Sequence, residues 1–257
     1  MDRKFEPVMM PGNSQSFPSP TAGPVAPQAE GPFASPTAGT TTVDSHRVLR
    51  NTYWLLALSM LPTIAGAFVG MQLNFIALFK AAPIMTPLLM FGVMIGSLFV
   101  VTRLRDSAWG VLALFGFTFI AGLMLTPILT VAAGFRNGGQ LVALSGGLTA
   151  AVFFSLAGYA SVTKRDFAFL GKFLFVGLVL LIVASLANIF LQIPALSVTI
   201  SAVAVLIFSL YLLHDLTNIV RGGETNYVMA TLNLFLSVYN IFVSLLNLLL
   251  VFSGQRD

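Results

Sequence analysis

From residue 53 onward the sequence is a succession of long apolar stretches divided by short polar ones: 53–79, 84–102, 108–132, 141–162, 167–191, 195–220 and 227–252. Each holds about 19 to 27 residues, enough for a helix to cross a hydrocarbon layer ~30 Å thick. None alternates with a period of two, and a backbone in lipid must satisfy its own polar groups, so the runs are expected to be helices. The separators carry turn chemistry, as in Lys80-Ala81-Ala82-Pro83, Arg136-Asn137-Gly138-Gly139 and Arg221-Gly222-Gly223-Glu224. The predicted fold is all-α, an integral membrane bundle of seven transmembrane helices over residues 44–257.

Residues 1–43 differ in kind. They hold eight of the 13 prolines, scattered among Ser, Thr, Gly and Ala without apolar periodicity. Such a segment buries too little surface to offset its ordering entropy and is expected to be a disordered tail. No continuous apolar core follows Arg3 and Lys4, so it does not read as a signal peptide and is expected to stay attached.

Composition agrees with the pattern. Hydrophobic residues make up 57% and charged ones 9%, against about 45–50% and 25% in soluble domains. The absence of cysteine excludes disulfides, thiolate metal sites, iron–sulfur clusters and a cysteine nucleophile. The 13 basic residues stand singly or in pairs between apolar runs, which marks them as topology signals rather than a nucleic-acid surface; no nucleic-acid partner is expected. With the N-terminus in the cytoplasm, Arg47, Arg50, Arg103, Arg105, Lys164, Arg165, Lys172 and Arg221 fall inside and Lys80, Arg136 and Arg256 outside. The predicted orientation is therefore N-terminus cytoplasmic and C-terminus periplasmic.

Ionisable residues are nearly absent from the runs, which makes Asp215, preceded by His214 near the end of the sixth, the first functional candidate. A carboxylate there costs ~2.5–3.5 kcal/mol on insertion scales. It either faces a wet bundle interior or reaches back to the headgroups, and His214 beside it is readable as a neutral interfacial histidine. In the seventh run Asn226, Asn233, Ser237, Asn240, Ser244 and Asn247 recur at a near-heptad spacing that stacks them on one face. Amides facing acyl chains would be unsatisfied, so this face must point into the bundle, placing the last helix centrally. The stripe is either interhelical hydrogen-bond glue or the lining of an ion path. Gly66/Gly70 and Gly92/Gly96 have the spacing of close helix packing, and Pro62, Pro87 and Pro127 suggest kinks. No metalloprotease, serine-hydrolase, nucleotide-binding or paired-aspartate motif is present, and two histidines cannot build a histidine-rich metal centre. No enzyme activity, metal site or cofactor is expected.

Three stretches resemble one family closely. These are His46-Arg47-Val48-Leu49-Arg50-Asn51-Thr52-Tyr53, Ala187-Asn188-Ile189-Phe190-Leu191-Gln192-Ile193-Pro194-Ala195-Leu196, and the run from Gly222-Gly223-Glu224-Thr225-Asn226-Tyr227 through Tyr239-Asn240-Ile241-Phe242-Val243-Ser244-Leu245-Leu246. They are similar to the Bax inhibitor family of seven-helix membrane proteins, and within it to the YccA-like branch of Gram-negative bacteria; the resemblance covers residues 44–257. It implies a bacterial inner-membrane protein whose last helix is surrounded by the other six. It also implies a pH-sensitive calcium leak channel in which aspartates on the sixth and seventh helices share a proton. Asp215 matches the first aspartate, but Ser237 occupies the second position and cannot ionise. Arg103 roughly matches a basic residue that bridges to the pair. A lone carboxylate has no shared proton to lose, so weak or absent pH gating is expected.

The same branch implies a second role, as substrate and modulator of the membrane-anchored, ATP-dependent protease FtsH. Such a protease needs an unfolded handle, and the proline-rich tail fits that need. Two functions thus compete, a modulator of membrane proteolysis and a calcium or proton-regulated cation leak with a degenerate aspartate sensor. Ser237 and the tail favour the modulator, whereas Asp215 and the polar stripe favour the leak.

Overall fold

A computed structural model describes residues 39–254 except 164, 166 and 168, with side chains from Arg47 onward. Residues 1–38 of the predicted tail, Lys164 and Arg256 lie outside the described residues. The described residues form eight helices: α1 (Gly39–Gln72), α2 (Ile76–Ala81), α3 (Met85–Leu104), α4 (Trp109–Ala133), α5 (Gly138–Val162), α6 (Leu170–Leu191), α7 (Pro194–Val220) and α8 (Tyr227–Gly254). All but α2 are long and apolar enough to cross a membrane, α1 doing so over Arg47–Gln72. Among the described residues there is no strand. The protein is a multi-pass membrane bundle, as its pattern of apolar runs predicts.

Two boundaries differ from that expectation. The first run, read as unbroken over 53–79, is interrupted after Gln72. Asn74 adopts a left-handed conformation (φ 51°), the Asn74 N–H donates to Met71 O at 3.2 Å and the Phe75 N–H to Gly70 O at 2.9 Å. This pair of bonds is the Schellman closure of a helix end, with asparagine in the position usually taken by glycine. Leu73 and Phe75 keep the turn apolar, so hydropathy passes over it, and the short α2 follows. At the other end, α1 begins at Gly39, inside the stretch assigned to the tail; no proline follows Pro36 to prevent the backbone from extending the helix.

α8 occupies the centre. It packs against α7, α5, α1 and α4, whereas α3 lies on α4 and α6 on α7. The last helix is therefore central but flanked mainly by four neighbours rather than evenly by six. Leu232, Leu234, Phe235, Ile241 and Leu246 of α8 are fully buried, and Phe235 meets Phe117 of α4 edge to face at 6.0 Å. The outer surfaces carry exposed Phe99, Phe154 and Phe173, the side chains a lipid-facing surface tolerates.

The two glycine pairs have opposite environments. A Cβ on Gly66 would lie 2.1 Å from Phe119 O, and one on Gly70 2.0 Å from Thr126 Oγ1, while Gly122 returns the contact with 2.1 Å to Thr63 O. Backbones of α1 and α4 thus touch directly, the approach that small residues permit in membranes. Gly92 and Gly96 meet nothing within 4 Å. Their spacing on α3 matches the motif, but they form no close interface in this bundle.

Candidate functional site

The α7–α8 turn is built from its sequence residue by residue. Gly222 has φ 74°; the Gly222 N–H donates to Ile219 O at 3.0 Å and the Gly223 N–H to Asn218 O at 2.9 Å, a second Schellman closure. Glycine is required at Gly222 for the left-handed backbone, and a Cβ on Gly223 would lie 2.1 Å from Asn218 Oδ1, so that side chain would have to turn aside. Asn226 then caps α8: its Oδ1 accepts from the Val228 and Met229 N–H groups at 2.9 and 3.1 Å. Its Nδ2 donates to Arg105 O at 3.1 Å and to Asp106 Oδ1 at 2.8 Å, and Glu224 Oε1 accepts from the Asn226 N–H at 2.9 Å. One amide therefore caps the central helix and ties it to the α3–α4 turn. The sequence pattern had placed Asn226 in the polar stripe; it stands outside the helix because its side chain satisfies the first free N–H groups.

Asp215 and His214 lie on α7 one to two turns before this closure. Their side chains are largely buried, with 15% and 22% exposure, and His214 Nδ1 is 3.1 Å from Asp215 Oδ1; the imidazole N–H is the donor to the carboxylate. The other ring nitrogen faces α6, 3.3 Å from where a Cβ on Gly171 would stand. Glu224 from the turn lies within electrostatic reach of Asp215. This second carboxylate was not singled out from the sequence, and the signal available was its place in the Gly-Gly-Glu turn directly after α7.

The remaining predicted residues are only partly brought together. Arg103 is exposed at the end of α3, and the ion pairs among the described residues are Arg105–Asp106 and His214–Asp215. The expected Arg103–Asp215 bridge is therefore absent, because α3 packs on α4 and not on α7. Ser237 is buried and Asn233 half-buried on α8, and no hydrogen bond joins Ser237 to Asp215 among the described residues. Asn240 Nδ2 donates to Leu236 O of its own helix at 2.8 Å. Asn247 reaches across to α7, donating to Ser197 Oγ at 3.2 Å and Ser201 Oγ at 2.8 Å. At that level the stripe is interhelical glue.

Two cavities flank α8. One of ≈740 Å³ lies between α1 and α5, and one of ≈560 Å³ lies beside α4, where Asn247 contributes to its wall. Neither is lined by Asp215. The carboxylate can bind a proton or a cation, and in this conformation neither cavity leads to it.

A seven-span helical bundle with its last helix at the centre, and with a glycine-glycine turn and a carboxylate at one end, defines the class. The chain belongs to the Bax inhibitor family: the family model described as "Inhibitor of apoptosis-promoting Bax1" matches residues 45–254. It is 40% identical over 212 residues to "Modulator of FtsH protease YccA" of Escherichia coli K12, covering 82% of this chain and 92% of that protein. The same identity over 216 residues links it to an uncharacterized protein of Neisseria meningitidis serogroup A, with 83% and 95% covered. An uncharacterized Pseudomonas aeruginosa protein is 38% identical over 208 residues, 81% of this chain and 90% of that one. A relative in another Escherichia coli strain is named "Inner membrane protein YccA".

Proposed function

We propose that this protein is an inner-membrane modulator, and itself a substrate, of an FtsH-type protease. The supporting observation is the similarity to the relative that bears this name, 40% identical over 212 residues, with the family match over residues 45–254 taking in all seven spans. In this reading residues 1–43 are a cytoplasmic handle, the bundle resists extraction, and a protease that engages the handle is held from other substrates. The last span then ends in the periplasm. The test is degradation of a second membrane substrate by a reconstituted FtsH-type protease, with and without the full chain. Slower degradation is expected with the full chain and not with a chain lacking residues 1–43, which should also live longer in cells; equal rates in all three reactions overturn the reading.

A second reading, a calcium leak of the Bax inhibitor type, is favoured by one observation: the buried Asp215 carboxylate with His214 at 3.1 Å and Glu224 nearby. Calcium flux into liposomes distinguishes the two. With Ser237 in place of a second intramembrane aspartate, the flux is expected to respond weakly to neutral-range pH, and more steeply in Ser237→Asp. A steep wild-type response that Asp215→Asn abolishes overturns the modulator-only reading.

A further inference from the structure

The larger cavity is a lateral crevice. α1 and α5 each pack on α8 rather than on one another, meeting where Tyr53 touches Phe153 edge-on at 5.9 Å. Val238, Tyr239 and Phe242 of α8 form the floor, and the rim residues Ile64 and Phe154 are 65% and 70% exposed. The crevice therefore opens sideways, toward the surface that seven membrane spans turn to lipid.

Three of the four hydroxyl-bearing side chains that line it are turned away from any occupant. Thr63 Oγ1 donates to Ser59 O at 2.8 Å and Thr149 Oγ1 to Ser145 O at 2.7 Å, each within its own helix, and Tyr239 Oη donates to Ala121 O of α4 at 3.1 Å. Beside the Tyr53 hydroxyl, methyls and ring faces remain, a lining suited to a hydrocarbon chain. Its length follows from the lining: Tyr53 and Ile64 on α1 are 11 steps apart, or ~17 Å of helix, about half of the ~30 Å hydrocarbon layer. That is the depth of one leaflet and the reach of one tail. A volume of ≈740 Å³ spread over that length has a mean cross-section of about 40 Å², roughly half that of an α-helix with its side chains and in keeping with a hydrocarbon chain. At the end where α1 enters the membrane, Arg50 is exposed three residues before Tyr53 and on the same helical face. It offers a cation at the level where a phospholipid carries its phosphate.

We propose that this crevice is a binding site for an acyl chain of a bilayer phospholipid, with the phosphate at Arg50 and the chain lying against α8. The central helix then touches lipid directly along Val238 and Phe242, although it is walled by other helices elsewhere.

Two glycines provide the test. A Cβ meets nothing within 4 Å at either Gly146 or Gly147, but only Gly146 lines the crevice. The full chain is reconstituted in phosphatidylethanolamine–phosphatidylglycerol vesicles containing a trace of phosphatidylglycerol with a diazirine on its acyl chain, irradiated, and the labelled peptides are mapped. Labelling concentrated on the crevice segments of α1, α5 and α8 is expected. Gly146→Phe should lower it about tenfold, the change that corresponds to ~1.4 kcal/mol of binding, with Gly147→Phe as in wild type. If Gly146→Phe does not fold, Ala150→Leu, which fills the same crevice, is read in its place. Labelling spread evenly over the outer faces, or unchanged by the filling variant, overturns the proposal. So does a wild-type dimer that the filling variant dissociates, since the occupant would then be a second copy.

Discussion

The α1–α4 and α7–α8 seams bring transmembrane helices together in opposite ways. α1 meets α4 through glycine, backbone against backbone at Gly66 and Gly122 and backbone against the Thr126 side chain at Gly70. α8 meets α7 through bonds that single side chains make, Asn247 to two serines in the membrane and Asn226 beyond it, where the turn is locked to a third element. Lipid is as apolar as leucine and gives neither seam a hydrophobic driving force, so each relies on contact or on hydrogen bonds. The first arrangement should fail when atoms are added, the second when polar atoms are removed.

The largest effect is expected at the glycine seam. Gly66→Leu must displace Phe119 O and its backbone, and should destabilise the fold by ~3 kcal/mol, the upper range for overpacking, measured as the denaturing-detergent midpoint in mixed micelles. The same change at Gly92 meets open space and should move that midpoint by less than about 0.5 kcal/mol; equal losses at both sites would break the comparison. Next comes Asn226→Ala, which removes the α8 cap together with the bonds to Arg105 O and Asp106, at about 2 kcal/mol. Its hydrogen-exchange signature should be loosening of both the α3–α4 and α7–α8 turns, whereas loosening of one alone would show that the tie between them is idle. Gly222→Ala forces a left-handed alanine and should cost about 1 kcal/mol, visible as a lower thermal midpoint. Smallest is Asn247→Leu, about 0.6 kcal/mol from the average for membrane hydrogen bonds; a loss matching that of Gly66→Leu would mean the two seams differ less than their geometry suggests.

The spans were legible because lipid leaves a chain no alternative: every run that could cross did so as a helix. What hydropathy could not register was a turn made of apolar residues, as at Leu73-Asn74-Phe75, where the only clue is an asparagine that tolerates positive φ. Motif spacing was equally blind to partners, since Gly92/Gly96 and Gly66/Gly70 look alike in one dimension. At the site, periodicity swept Asn226 into a stripe although its position one residue before a helix start marks it as a cap. The Arg103 pairing failed because it came from a loose match to relatives rather than from a contact the chain's own packing requires. In sequence Glu224 reads as a turn residue, and its bearing on Asp215 exists only once the turn follows the end of α7.

The position of α8 has a consequence for biogenesis. The helix at the centre follows the other six spans in chain order, so its neighbours enter the bilayer before the element they enclose has been made. Until it arrives, Ser197 and Ser201 of α7 face either lipid or one another, and the partial bundle has a hollow where Phe235 and Ile241 will sit. The central span is therefore made after the other six described spans, and a quality-control system that samples partial bundles would meet α7 without its partner until α8 packs against it.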